Sequence, residues 1–194
     1  TVSIDGEPRL ELISHYYPSV LEALSDRRIA PQIASTNRVE LPSYGELREV
    51  GRKVLRAFDI GTSATHMEWF FGPKGLKISE IGARPPGERI WDLYCVGNDL
   101  DLYRSWARAM VLGRVEDRPS RRYATGSVQV RPDREGKVVA YQGLDEVRQK
   151  YGLAVEVLFP EAAAVERMVA EKGVNLFTRS LENRKECCRV RKVE

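Results

Sequence analysis

The 194-residue sequence predicts an α+β protein: an antiparallel sheet with packed helices over residues 1–113, then a small β-rich α+β lobe over 120–194. Three observations predict it. Turn residues join short apolar-rich runs at Asp5-Gly6 and at Gly72-Pro73-Lys74-Gly75, a pattern characteristic of β-hairpins. Apolar residues recur at three- and four-residue spacing over 43–58, the period of a helix buried on one side. A charged, proline-containing stretch at 114–122, containing EDRPSRR, separates these elements from a second series of alternating runs.

The elements follow in order. Residues 1–4 and 7–13 read as strands joined by the Asp5-Gly6 turn. Over 14–38, Tyr16, Tyr17 and Pro18 read as loop, with one helical turn near 20–24. The two tyrosines read as packing residues at a core edge. The helix at 43–58 takes Ser43 as N-cap and Glu46 as the partner in a capping box. Its stripe of Leu47, Val50, Val54, Leu55 and Phe58 faces the sheet, and Gly61 ends the segment. Strands are expected at 65–71 and 76–82, and a helix after Gly87. Asp99 caps a further helix that runs to Leu112, with Leu102, Trp106, Ala109 and Met110 inward and Gly113 as its stop.

The linker at 114–122 is expected to present its charges to solvent. Beyond it, strands are expected at 124–131, 137–142, 153–159 and 174–179. Helices are expected at 145–151 and 161–172, the latter ended by Gly173. The basic tail ENRKECCRVRKVE reads as a solvated end.

Composition narrows the function classes. Hydrophobic residues make up 42% of the chain and charged residues 30%, with a net charge of +3. That is a soluble globular balance, without the excess of Lys and Arg that marks a nucleic-acid-binding surface. No apolar run approaches the roughly 18 residues that span a membrane, and no signal peptide opens the sequence. The cysteines are Cys95, Cys187 and Cys188. An odd number without C-x-x-C spacing argues against a disulfide framework or a cysteine zinc site, and fits a reducing cytoplasm. The only histidines are His15 and His66, too few for a histidine-rich metal site.

The most informative stretch is THMEWFFGPKGLKISEIGARPPG, residues 65–87. A three-residue loop places Pro73 at the first turn position and Gly75 at the left-handed one. Such a loop closes on Gly72–Leu76 and pairs Phe70 with Ile78, Glu68 with Glu80 and His66 with Gly82. These pairs share one face, because side chains alternate along a strand. Directly opposed like charges destabilise a sheet. A cation between Glu68 and Glu80 turns that cost into a binding site, and two carboxylates suit a hard divalent ion. The competing reading leaves both glutamates in water on a half-exposed face.

His66-Met67-Glu68 followed by Glu80-Ile81-Gly82-Ala83-Arg84-Pro85-Pro86-Gly87 resembles the magnesium-binding signature of the ATP-grasp superfamily, H-x-E and then E-I-N-x-R-x-x-G. The resemblance covers residues 1–113. It implies the C-terminal subdomain of an ATP-grasp domain and an enzyme of the carboxylate–amine ligase branch, to which Gly82 in place of asparagine points. It makes Glu68 and Glu80 metal ligands for Mg²⁺ or Mn²⁺ and Arg84 the catalytic contact to the transferred phosphoryl group. It places His66 and Gly87 in the ATP-binding site, where a helix N-terminus after Gly87 would face phosphate. A substrate carboxylate would become an acyl-phosphate, and an amine would displace the phosphate.

The first ATP-grasp subdomain has no counterpart here, and the sequence starts at Thr1 within a strand. The resemblance therefore implies that the missing half is supplied in cis or in trans, and that apolar surface left by its absence drives self-association. A carboxylase-type member, which Gly82 disfavours, and a non-catalytic interaction or regulatory module are the alternative readings.

Overall fold

The computed structural model describes residues 1–26, 29–87, 89–130, 143, 146, 149, 155–158 and 174–181, the last two segments as backbone only. The expected strand at 137–142, the helix at 161–172 and the basic tail lie outside the described residues. The class is α+β, with small antiparallel sheets and a few helices. The chain forms two compact units: residues 1–13 with 38–121, and residues 14–37 with 122–194.

The first unit opens with β1 (Val2–Ile4) and β2 (Glu7–Leu10), paired antiparallel around Asp5-Gly6. Both turn residues have positive φ, 50° and 78°, as a two-residue hairpin turn requires. A short strand, β5 (Ser63–Ala64), adds to the other side of β1. A 3₁₀ turn over Pro42–Tyr44 leads into helix α2 (Gly45–Ala57). Ser43 therefore sits within the 3₁₀ turn and caps nothing: Tyr44 holds the N-cap position without a side-chain bond. Leu55 is the fully buried residue of the α2 stripe, whereas Phe58, expected inward, is exposed. The helix stops four residues before Gly61, and Asp59 takes the left-handed conformation at φ 50°.

Helices α3 (Ile90–Asn98) and α4 (Leu102–Leu112) complete the unit, with α4 packed on β1 and β5. Trp91 is 1% exposed and meets Tyr103 and Trp106 edge-on at centroid distances of 5.1 and 5.8 Å, within the range that favours T-shaped pairs. Asp99 does not cap α4. It closes α3 in a left-handed conformation, and Asp101 caps α4 by accepting from Arg104 N. Gly113 ends α4 at φ 61°. Met110, expected inward, is exposed; the buried positions of α4 are Leu102, Ser105 and Ala109. The charged linker is only partly solvated. Asp117 accepts from Ser105 Oγ at 2.7 Å, and Arg121 Nη2 donates to Glu11 O at 2.7 Å.

The second unit holds β3 (Ile13–Tyr17), whose first residue belongs to the preceding segment, and helix α1 (Val20–Ser25). It also holds β4 (Gln32–Thr36), β8 (Tyr123–Val130), β9 (Val155–Leu158) and β10 (Val174–Leu181). Its sheet order is β3-β4-β8-β10-β9. Strands β3 and β4 occupy a region expected to be mostly loop. The expected helical turn near 20–24 is α1, capped by a Ser19–Glu22 box. Among the described residues, no helix is long and apolar enough to cross a membrane.

Candidate cation-binding site on the β6–β7 hairpin

Strands β6 (His66–Gly72) and β7 (Gly75–Gly82) form a separate two-stranded sheet in the first unit. Gly51 of α2 lies next to Met67 and Trp69, with ideal-Cβ distances of 3.8 and 3.9 Å. Alternation then sends His66 and Glu68 to the opposite face. The pairs His66↔Gly82 and Glu68↔Glu80 are those that the sequence predicts. On the loop side of Glu68 the register differs. The loop is two residues, Pro73-Lys74, closing on Gly72↔Gly75, so Trp69 pairs with Ile78 and Phe70 with Lys77. A bulge between Glu68 and Trp69 absorbs Ser79 and restores the pairing at the glutamates. One extra residue on one strand is what a bulge supplies. Gly75 does take a positive φ, 76°.

The two carboxylates and the His66 imidazole offer ligand atoms that all lie within 4.8 Å of one another. His66 Nε2 stands 3.0 Å from Glu80 Oε1. The histidine side chain is 13% exposed and Glu80 57%, so the site has a sheltered side and an open one. Two ligands held about 2.1 Å from an ion and 90° apart are roughly 3.0 Å from each other. The His66–Glu80 spacing therefore suits a hydrogen bond and an adjacent pair of ligands equally. The geometry fits a small divalent cation with imidazole and carboxylate donors.

Gly82 lies under the ring. A Cβ there would be 2.3 Å from His66 Cε1 and 2.8 Å from Nδ1. The space that a side chain would take at 82 is filled by the imidazole. The predicted His66–Gly82 pairing is the sequence signal for this contact, although the resemblance assigns His66 to nucleotide binding and not to the metal.

The remaining predicted residues are placed otherwise. Arg84 Nη1 donates to Pro85 O at 2.9 Å, and Gly87 O accepts from Ile90 N at 3.1 Å. Arg89, at the N-cap of α3, is left-handed at φ 56° and donates from Nε to Asp92.

No family model matches the sequence. Among curated proteins, the chain is 51% identical over 51 residues to adenosine 5'-phosphosulfate reductase of Burkholderia cepacia, 26% of this chain and 20% of that protein. It is 43% identical over 54 residues to the enzyme of the same name from Pseudomonas aeruginosa (strain LESB58), 28% of this chain and 20% of that protein. It is 32% identical over 100 residues to 5'-adenylylsulfate reductase 3, chloroplastic, of Arabidopsis thaliana, 50% of this chain and 20% of that protein. The chain thus spans about a fifth of the length of these relatives.

These similarities overturn the ATP-grasp assignment and what it carried. The relatives are reductases, so the carboxylate–amine ligase, its C–N bond-forming chemistry and its alternatives are withdrawn, together with ATP and Mg²⁺ or Mn²⁺ as the implied cofactors. The physical reason is that a hairpin with opposed acids needs only strand alternation and a turn. Its pattern therefore recurs without the chemistry of any one family.

Proposed function

We propose that the chain is part of an oxidoreductase that acts on adenosine 5'-phosphosulfate. The observation that carries this reading is the 51% identity over 51 residues to a reductase of that substrate. Reducing sulfate sulfur to sulfite takes two electrons, which two thiols supply as they close to one disulfide, with AMP as the leaving group and two protons released. Cys95, Cys187 and Cys188 are the thiols of the sequence. The test incubates the chain with adenosine 5'-phosphosulfate and excess dithiothreitol, measures sulfite and AMP, and measures nucleotide binding separately. Sulfite release, or binding of adenosine 5'-phosphosulfate in preference to ATP, supports the reading. Neither would sink it. The compartment proposed is an aqueous one with reduced thiols, either the cytoplasm or the chloroplast in which the plant relative is named.

A second reading rests on the hairpin. We propose that Glu68, Glu80 and His66 hold a divalent cation, because three ligand atoms of suitable type converge within 4.8 Å. Arg84, two residues beyond β7, is then the cationic side chain proposed to meet an anionic substrate, with Gly87 as a backbone position that a ligand can approach closely. Titration with Co²⁺ checks the metal assignment. Glu80→Gln and Glu68→Gln should each remove the binding, and unchanged affinity in both would refute it.

A further inference from the structure

We propose that Gly82 sets the cation preference of the hairpin site, by giving the His66 imidazole the room to serve as its third ligand. The inference rests on the reading that Glu68, Glu80 and His66 form a cation site. Three observations carry it. The imidazole lies over the bare Cα of Gly82, and a Cβ there would collide with it at 2.3 Å. His66 Nε2 is thereby held 3.0 Å from Glu80 Oε1, a spacing that suits an adjacent pair of ligands as well as a hydrogen bond. The ring is mostly enclosed, whereas the neighbouring Glu80 is largely open, so the ring's orientation is set by the strand beneath it and not by solvent.

The chemistry follows from donor type. Two carboxylates alone favour hard, oxygen-seeking ions such as Mg²⁺ and Ca²⁺. Adding a neutral imidazole nitrogen shifts preference towards Zn²⁺, Co²⁺ and Ni²⁺. Coordination through Nε2 leaves the ring proton on Nδ1, which is buried and has no hydrogen-bond partner among the described residues. Metal-bound histidines are normally anchored through that second nitrogen, and loss of such an anchor costs about 10–100-fold in affinity. The site is therefore selective but weak.

A methyl group at 82 meets the far end of a side chain, not backbone. The ring can swing away while the strand pairing stays. Gly82→Ala should accordingly remove the nitrogen ligand and leave both glutamates in place.

The experiment titrates Co²⁺, Zn²⁺ and Mg²⁺ into the wild-type chain, Gly82→Ala, His66→Ala and Glu80→Gln, with circular dichroism to confirm folding. Only binding that Glu80→Gln abolishes is counted, which removes any contribution from the thiols. The expected result is a Co²⁺ and Zn²⁺ affinity lower by about tenfold or more in both Gly82→Ala and His66→Ala, with Mg²⁺ affinity unchanged within twofold. The visible Co²⁺ spectrum should change alike in the two variants. Wild-type affinity for Co²⁺ and Zn²⁺ in a folded His66→Ala chain would overturn the inference while leaving the carboxylate site standing. No binding sensitive to Glu80→Gln in the wild-type chain would instead remove the site itself.

Discussion

Glu11 offers the most direct test of how the first unit is held together. Its carboxylate Oε2 accepts from Arg48 Nε at 3.0 Å and from Arg52 Nη2 at 3.3 Å, tying the chain after β2 to α2. Glu11 is 16% exposed and Arg48 28%, whereas Arg52 is 41% exposed. The Arg52 contact is thus largely screened and contributes about 0.2–1 kcal/mol. The sheltered Arg48 bond is a charge-assisted one, of the class that contributes about 1.5–3 kcal/mol. Glu11→Ala should therefore cost the unit about 2–3 kcal/mol, because it also leaves two guanidinium groups facing each other without their counterion. Arg121 donates to the backbone oxygen of Glu11, so its bond survives the substitution. The assay is urea unfolding followed by tryptophan fluorescence. All three tryptophans, Trp69, Trp91 and Trp106, lie in the first unit, so the signal reports on that unit alone. In a double-mutant cycle with Arg48→Met, the coupling should be about 1–2 kcal/mol. A loss below about 0.5 kcal/mol, or no coupling, would refute the assignment of the carboxylate as the tie between these segments.

Two other outcomes are expected. Asp101→Ala removes the cap that accepts from Arg104 N at 3.0 Å and should cost about 1 kcal/mol in the same unfolding assay, with Asp101→Asn recovering most of it. Burial pushes the Cys95 thiol above its ordinary 9.0, partly offset by the hydrogen bond from Leu102 N, so at pH 8 its alkylation by iodoacetamide, mapped by mass spectrometry, should be slower than that of a free cysteine peptide. A thiol whose value is raised on folding favours the folded state while it stays protonated, so stability should begin to fall as pH rises past 9.0 and Cys95→Ser should remove that decline.

What the sequence reveals depends on whether a signal is local. The Asp5-Gly6 turn and the left-handed Gly75 were legible because the backbone conformation demands those residue types. The pairings of His66 with Gly82 and Glu68 with Glu80 were legible too, but by compensation: a shorter loop and a bulge at Ser79 cancel in register. Strands β3 and β4 were hidden because each buries too few apolar residues to show a period. In β4 the inward positions are Ile33 and Ser35, and in β3 only Ile13 is buried, so neither strand shows an apolar alternation. Cap positions shifted by one or two residues, at Tyr44 for Ser43 and at Asp101 for Asp99, because several adjacent residues can cap and packing selects among them. The contribution of Gly82 was legible only as its pairing with His66, since the ring's place over a bare Cα is a packing fact between two strands. The ligase chemistry was inferred from a motif whose geometry is generic, and the relatives correct it.

The reductase reading and the cation reading stand on different observations, and binding thermodynamics can join or separate them. Each reported match covers at most 50% of the chain, so at least half of it lies outside each. If the hairpin cation serves the phosphosulfate group, the bound ion and adenosine 5'-phosphosulfate attract each other, and each must raise the affinity of the other by the same factor. A cation in direct contact with an anionic ligand at a partly exposed site is worth about 1–3 kcal/mol of coupling, or roughly 5–150-fold. Titrating Co²⁺ with and without saturating adenosine 5'-phosphosulfate, and then the nucleotide with and without Co²⁺, should give equal enhancements of at least fivefold. Both should vanish in Glu80→Gln. Enhancement by the nucleotide that survives Glu80→Gln would place the coupled ion elsewhere. Equal affinities with and without the partner ligand would mean that the hairpin site and the nucleotide site work independently, each to be judged on its own test.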